Sequence, residues 1–262
     1  MEERTMDRLA FDVGNTKTAL AVFRNGKLMK QWRIRTQHWT ADELWITVKA
    51  LLDADGFDTP GDAAFASVVP QVRHTLVKMS QRRLGVTPVI VGPDTAGIEL
   101  EYLFPHEVGP DRLANAVAAI MSGGLPAIVA DFGTATTFDV IDSAGRYCGG
   151  AICPGVGTAA GELFKKAERL NPIDLKFPDK VIGRTTADAV RAGVLYGAAG
   201  GADRMIDMIT GELGTEPVLW ATGGWAPSLT VRCLHEFTVS PELTLRGIDE
   251  IGRKNREEVT DG

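Results

Sequence analysis

The chain has 262 residues, a formal net charge of −6, 44% hydrophobic residues and 24% charged residues. This is enough for one large domain or two modest ones, with a real core. The acidic balance leaves no electrostatic footprint for nucleic acid, and the sequence offers neither an apolar signal core at its start nor a run able to span a membrane, so a cytoplasmic protein is expected.

Three cysteines, Cys148, Cys153 and Cys233, form no metal-ligand spacing and read as buried thiols. The histidines, His38, His74, His106 and His235, are scattered. No His/Cys/Asp cluster points to zinc, and no Gly-x-Ser-x-Gly elbow points to a serine hydrolase.

In chain order, residues 8–36 predict three strands, with Asn25-Gly26 as a hairpin turn between the second and third. Thr40-Ala41-Asp42-Glu43 has the form of a capping box, and Leu44, Val48, Leu51 and Leu52 then share one helical face. A strand follows at Ala63 to Val69. Pro70 suits a first helical position, Gly85 stops that helix, and Pro88 to Val91 reads as a short buried strand. The connection from Gly92 to Pro110 is long and irregular, as functional loops often are. It holds Tyr102 and ends in Gly109-Pro110-Asp111-Arg112, ahead of a helix that carries Leu113, Val117, Ile120 and Met121 on one face and stops at Gly123-Gly124.

The second half repeats the first. Strands are expected at Ala127 to Phe132, Thr137 to Ile141 and Tyr147 to Ile152, then a helix over Thr158 to Arg169. After an irregular stretch, Gly183-Arg184-Thr185-Thr186 leads into a long helical region rich in glycine. A strand over Pro217 to Ala221 ends at Thr222-Gly223-Gly224. A helix, a short strand at Glu236 to Val239 and a final helix from Leu243 follow.

Two hairpins stand out. Leu9-Ala10-Phe11 leads into Asp12-Val13-Gly14-Asn15-Thr16, and Ala127 to Ala130 leads into Asp131-Phe132-Gly133-Thr134-Ala135-Thr136-Thr137. Each reads as strand, Asp-rich turn, strand. Turn amides and hydroxyls suit a phosphate, and the carboxylate suits a cation. One such turn is weak evidence, since Asp and Gly are common in turns. Two at corresponding places in two halves point to duplication.

The element order is neither a single alternating sheet nor a barrel. It resembles the α/β fold of duplicated ribonuclease-H-like lobes found in the actin, hexokinase and heat-shock chaperone ATPase superfamily, where nucleotide sits in a cleft between the lobes. The lobe boundary is expected along the helix after Pro110, giving residues 1–114 and 115–262. Thr222-Gly223-Gly224 corresponds to the glycine pair that lies near adenosine in that superfamily.

More narrowly, several stretches occur in the order expected of type III pantothenate kinases, the family that includes the Bvg accessory factor. They are Asp12 to Thr16, Trp32-Arg33-Ile34-Arg35-Thr36, Ser67-Val68-Val69-Pro70, Gly109 to Ala116, Asp131 to Thr137, Gly149 to Gly155 and Thr222-Gly223-Gly224. The resemblance runs from Leu9 to Asn255. It implies ATP-dependent phosphorylation of pantothenate to 4′-phosphopantothenate, with Mg²⁺, a monovalent cation (K⁺ or ammonium) and a homodimer.

By motif, the resemblance assigns ATP phosphate contacts to Asp12, Val13, Gly14, Asn15, Thr16, Lys17, Thr18 and Ala19, and a further ATP contact to Thr134. It makes Asp131 the monovalent-cation ligand. It lines the pantothenate site with Tyr102, Gly109, Pro110, Asp111, Arg112 and Thr186, with Asp111 as general base. The residues by themselves also permit a plainer reading, with Asp111 as a helix cap, Arg112 as a solvated charge and Tyr102 as a half-buried aromatic. The chain departs from the family pattern at Pro110, where alanine is usual, and at Thr185, where asparagine is usual. Two other functions stay open on this reading: a non-catalytic regulator like the Bvg accessory factor, and a kinase of another small-molecule alcohol.

Overall fold

The computed structural model describes residues 7–167 and 172–260, with side chains described to residue 257. The chain divides into two units, 1–121 with 242–262 and 122–241. This differs from the expected division at residue 114. Helix α3 (Pro110–Ser122) stays almost whole with the first unit, and the final helix α7 (Leu243–Thr260) returns to it. A boundary drawn along the sequence cannot show that return.

The first unit is built on a five-stranded sheet of β1 (Asp7–Val13), β2 (Lys17–Arg24), β3 (Lys27–Arg35), β4 (Asp62–Ser67) and β5 (Val89–Ile90), in the order β3-β2-β1-β4-β5. β1 runs antiparallel to β2 and parallel to β4. Asn25 and Gly26 turn the β2–β3 hairpin with φ of 50° and 74°, the left-handed conformation that a two-residue hairpin requires. Helix α1 (Ala41–Ala54) begins with the predicted capping box: Glu43 N–H donates to Thr40 Oγ1 at 3.2 Å, and Thr40 N–H donates to Glu43 Oε2 at 2.8 Å. Its buried stripe Leu44, Val48 and Leu52 meets Leu9, Phe11, Val22 and Phe65 of the sheet, and Val72, Leu76 and Met79 of α2 (Pro70–Met79). Burying side chains of this size contributes roughly 1.5–3 kcal/mol each. Pro70 takes the first helical position, as expected. A π-helical turn, Ser80–Leu84, extends the helix to Gly85. β5 is shorter than expected and only partly buried.

The second unit repeats this plan with β6 (Ala127–Phe132), β7 (Ala135–Ile141), β8 (Tyr147–Pro154), β9 (Val218–Thr222) and β10 (Thr238–Val239). The order is β10-β9-β6-β7-β8. Read from β8, it is the same sequence of neighbours as in the first sheet, with β6 in the place of β1 and β9 in the place of β4. Helix α4 (Val156–Lys166) starts two residues earlier than expected, and the expected end at Arg169 lies outside the described residues. Helix α5 (Thr186–Leu213) is the long glycine-rich helix, capped by Thr185, whose Oγ1 accepts from Asp188 N–H at 3.1 Å. Its face of Leu195, Ala199, Ala202 and Ile206 packs with Ile128, Phe132, Phe138 and, from the short α6 (Ala226–Leu229), Leu229. The three cysteines are partly rather than fully buried. Burial and the nearby Asp203 carboxylate push the Cys233 thiol up to about 12, so it stays protonated at neutral pH.

Helix α7 is anchored to the first sheet by charge as well as by packing. Arg8 on β1 donates from Nε to Asp62 at 2.8 Å and from Nη1 to Asp249 at 2.8 Å. Arg256 donates to the other Asp62 oxygen at 3.0 and 2.9 Å. Gly252 lets the helix close on β4, because a Cβ there would stand 2.8 Å from that of Ala64.

Candidate active site

Asp12 and Asp131 hold equivalent places, each the penultimate residue of the central strand of its sheet. Asp12 pairs with Ala19 and Ala66, and Asp131 pairs with Thr137 and Thr222. Each strand then enters a turn closed by a glycine amide: Gly14 N–H donates to the Lys17 carbonyl at 3.0 Å, and Gly133 N–H donates to the Ala135 carbonyl at 3.0 Å.

In the first unit, Asn15, Thr16 and Lys17 are exposed at the tip of this turn. Thr36 fixes the turn from behind. Its N–H donates to the Thr16 carbonyl at 3.0 Å, its hydroxyl donates to the Gly14 carbonyl at 2.7 Å, and its Oγ1 lies 2.9 Å from the Thr18 hydroxyl. The tip therefore presents hydroxyl and backbone groups outward on a backbone already held in shape. That arrangement suits phosphate oxygens. Thr36 closes the Trp32–Thr36 stretch, and nothing in that stretch announces that it braces the loop.

In the second unit the equivalent turn is packed more tightly. Gly155 N–H and the Thr158 hydroxyl both donate to the Thr134 carbonyl, at 3.2 and 2.6 Å. A Cβ on Gly155 would stand 2.4 Å from the carbonyl oxygens of both Gly133 and Thr134. A Cβ on Gly223 would stand 2.4 Å from Asp131 Oδ1. Trp225 N–H caps the Phe132 carbonyl at 3.1 Å. Glycines thus clear the space around Asp131. A carboxylate beside backbone carbonyls offers oxygen donors, which suit a hard cation such as K⁺ or Mg²⁺.

Asp111 opens α3, one residue after Pro110 at the first helical position. A missing N–H costs little there, because the first amides of a helix have no intrahelical partner. Leu113 N–H donates to the Gly109 carbonyl at 3.1 Å, so Gly109 rather than Asp111 stands at the cap. Asp111 Oδ1 accepts from Arg112 N–H at 3.0 Å. A Cβ on Gly109 would stand 2.4 Å from that oxygen. Burial pushes the Asp111 carboxyl above the usual carboxylate range, against the pull of the backbone amides and the Arg112 guanidinium. Arg112 is buried, at 7% exposure. The plainer reading of a capping aspartate followed by a solvated arginine does not describe this loop. Tyr102 is partly buried in the irregular connection before it.

Thr186 is the first residue of α5 and lines a cavity of about 900 Å³ in the second unit. The cavity walls are mostly apolar and come from β7, β8, α4 and α5, including Phe138, Leu163, Val190, Val194 and Met205. The predicted residues therefore divide between the units. The first carries Asp12 to Ala19, Tyr102 and Gly109 to Arg112, and the second carries Asp131, Thr134 and Thr186.

The chain is similar to several known proteins. The family model described as type III pantothenate kinase matches residues 8–208. A type III pantothenate kinase of Anaeromyxobacter dehalogenans (strain 2CP-C) is 40% identical over 252 residues, covering 95% of this chain and 99% of that protein. One from Listeria innocua is 39% identical over 253 residues, covering 95% and 97%. Among solved structures, a Baf family protein from Campylobacter jejuni is similar at a TM-score of 0.59 and 19% identity, covering 95% of this chain and 99% of that one. A ROK hexokinase from Thermus thermophilus is similar at a TM-score of 0.54 and 14% identity, covering 98% and 100%. The hexokinase likeness bears on fold alone and agrees with duplicated lobes of the actin and hexokinase kind. With a family model matching residues 8–208 and relatives about 40% identical over nearly their whole length, the chain belongs to the type III pantothenate kinase family.

Proposed function

We infer that the chain transfers the γ-phosphoryl group of ATP to the primary hydroxyl of pantothenate, giving 4′-phosphopantothenate and ADP, the first step towards coenzyme A. The observation that carries the catalytic part is Asp111, a partly buried carboxylate at the head of a helix with its pKa raised by burial. Raising a carboxylate towards the working pH makes it a better proton acceptor, and a positioned base is worth roughly 10²–10⁴-fold in rate.

Phosphoryl transfer is mostly positioning and charge neutralisation. In this reading the turn from Asp12 to Ala19 and the Thr134 turn hold the ATP phosphates. Asp111 takes the proton of the attacking hydroxyl, and Arg112 and Tyr102 orient pantothenate. Thr186 makes a further substrate contact. Mg²⁺ and a monovalent cation, K⁺ or ammonium, neutralise the phosphate charge, the second held by Asp131. A regulator without catalysis has no use for this set of three carboxylates, Asp12, Asp111 and Asp131.

We also place the protein in the cytoplasm, as a homodimer. The dimer is supported by the apolar cavity beside α5 and by the exposed Gly193, Gly197, Gly200 and Gly201 on that helix, which allow another chain to approach closely. Sedimentation equilibrium giving twice the chain mass bears this out, and a monomer at working concentration refutes it.

The test of the activity is ADP release with ATP, Mg²⁺ and K⁺, with and without pantothenate, and identification of the product by mass. Pantothenate-dependent ADP with phosphopantothenate supports the reading. A folded protein that releases no ADP, or does so with a sugar and not with pantothenate, overturns it.

A further inference from the structure

Asn115 lies one helical turn beyond Asp111 on α3, and positions four apart on a helix share a face, with Cβ atoms about 5–6 Å apart. Helical side chains lean towards the N-terminus, so Asn115 leans towards the turn that carries Asp111. Asn115 is 1% exposed. The Thr244 hydroxyl at the start of α7 donates to its Oδ1 at 2.7 Å. Its Nδ2 is buried without a hydrogen-bond partner. Proteins rarely leave such a donor unused. The helices are pinned together here, since a Cβ on Gly247 of α7 would stand 1.8 Å from the Ala114 carbonyl oxygen.

We propose that Asn115 is a positioning residue for the base: Thr244 holds its amide so that the Nδ2 group is presented to the Asp111 carboxylate when the hydroxyl substrate is in place. The assignment matches the chemistry, because an ionised carboxylate only accepts hydrogen bonds and a second acceptor beside it would repel it. The donor steadies the ionised form against burial and aims its free oxygen. Arg112 is the charged group acting on Asp111. On α7, Arg246 is paired with Glu242 at 3.2 Å, and Asp249 with Arg8 at 2.8 Å. This inference rests on Asp111 being the base.

The experiment is the pH dependence of kcat/KM for pantothenate in Asn115→Ala, Thr244→Val, Thr244→Ser and Asp111→Asn. A donor to the ionised form lowers a carboxylate pKa, so its loss raises that pKa and moves the acidic limb to higher pH. Asn115→Ala and Thr244→Val are expected to move the limb up by about one unit, and Thr244→Ser to restore it. If Asn115→Ala does not fold, the Thr244 pair carries the test. A folded Thr244→Val or Asn115→Ala whose limb stays in place overturns the proposal, even where turnover falls. Wild-type turnover in folded Asp111→Asn overturns the base itself, which is a separate and recognisable result.

Discussion

Gly223 and Asp131 stand so close that a Cβ on the glycine would lie 2.4 Å from the carboxylate Oδ1 and 2.6 Å from the Phe132 carbonyl. The glycine also sits at φ +90°, where a side chain is strained. Two requirements therefore meet at one residue of the loop after β9. Gly223→Ala is expected to displace Asp131 at a strain of about 1–3 kcal/mol, which corresponds to roughly 5- to 150-fold in cation affinity. Initial rates against K⁺ or ammonium concentration measure it. An unchanged half-saturating concentration in the folded variant would show that Asp131 does not hold the cation.

Asp111→Asn separates catalysis from folding. Turnover is expected to fall at least ~10²-fold with the loss of the base. Stability moves the other way. Burial raises the folded-state pKa of Asp111 above its unfolded value. The group's stabilising contribution is thus fully present below the unfolded pKa and is lost as pH rises through the folded one. At neutral pH the ionised carboxylate opposes folding, and the uncharged asparagine does not. Asp111→Asn should melt at or above the wild-type temperature at pH 7, and the advantage should shrink on acidification. Wild-type kcat/KM should fall as pH drops through the raised pKa, because the protonated acid cannot accept the hydroxyl proton. Thermal melts across pH 4–8 beside rate profiles test both halves.

Asp62 joins β4 to both β1 and α7. Its side chain is 4% exposed and takes Arg8 on one oxygen and Arg256 on the other. Removing one member of a buried pair leaves its partners uncompensated, which typically costs about 3–5 kcal/mol. Asp62→Ala is expected to lose that much in urea unfolding. The exposed pair Lys165–Glu162, at 3.5 Å, provides the contrast, and its removal should leave the transition in place. A loss at Asp62 no larger than at Glu162 would mean that apolar packing alone holds α7 to the sheet.

The elements were legible wherever a local rule set them. The capping box at Thr40, the Asn25-Gly26 turn and Pro70 at a helix start each lie within a few residues of the group they act on, and each forms as expected. The paired turns at Asp12 and Asp131 were readable because duplication wrote them twice. Contacts made across long separations were not readable. Nothing near Arg8 announces Asp249, and nothing near Asn115 announces Thr244, 129 positions away. The homing of α7 to the first sheet depends on such pairs, and so the division at residue 114 missed it. At the site, residue types were legible, whereas the bracing of the Thr134 turn by Gly155 and Thr158 needed the fold.

Gly247 offers the sharpest test of the junction between α3 and α7. Its absent Cβ would fall 1.8 Å from the Ala114 carbonyl oxygen and 2.6 Å from the carbonyl carbon. Neither is the end of a flexible side chain, so any larger residue must move one helix off the other. Overpacking of this kind typically costs about 1–3 kcal/mol. Because α3 carries Asp111 at its start and α7 carries Thr244, the same shift should lower turnover at saturating pantothenate. Gly247→Ala is therefore expected to lose both stability and kcat. Gly211→Ala, at an exposed α5 position with no atom within 4 Å of the new methyl, should melt no lower than the parent. A Gly247→Ala protein with parental melting and parental kcat would mean that the two helices are free to part without consequence, and that the base is positioned by α3 alone.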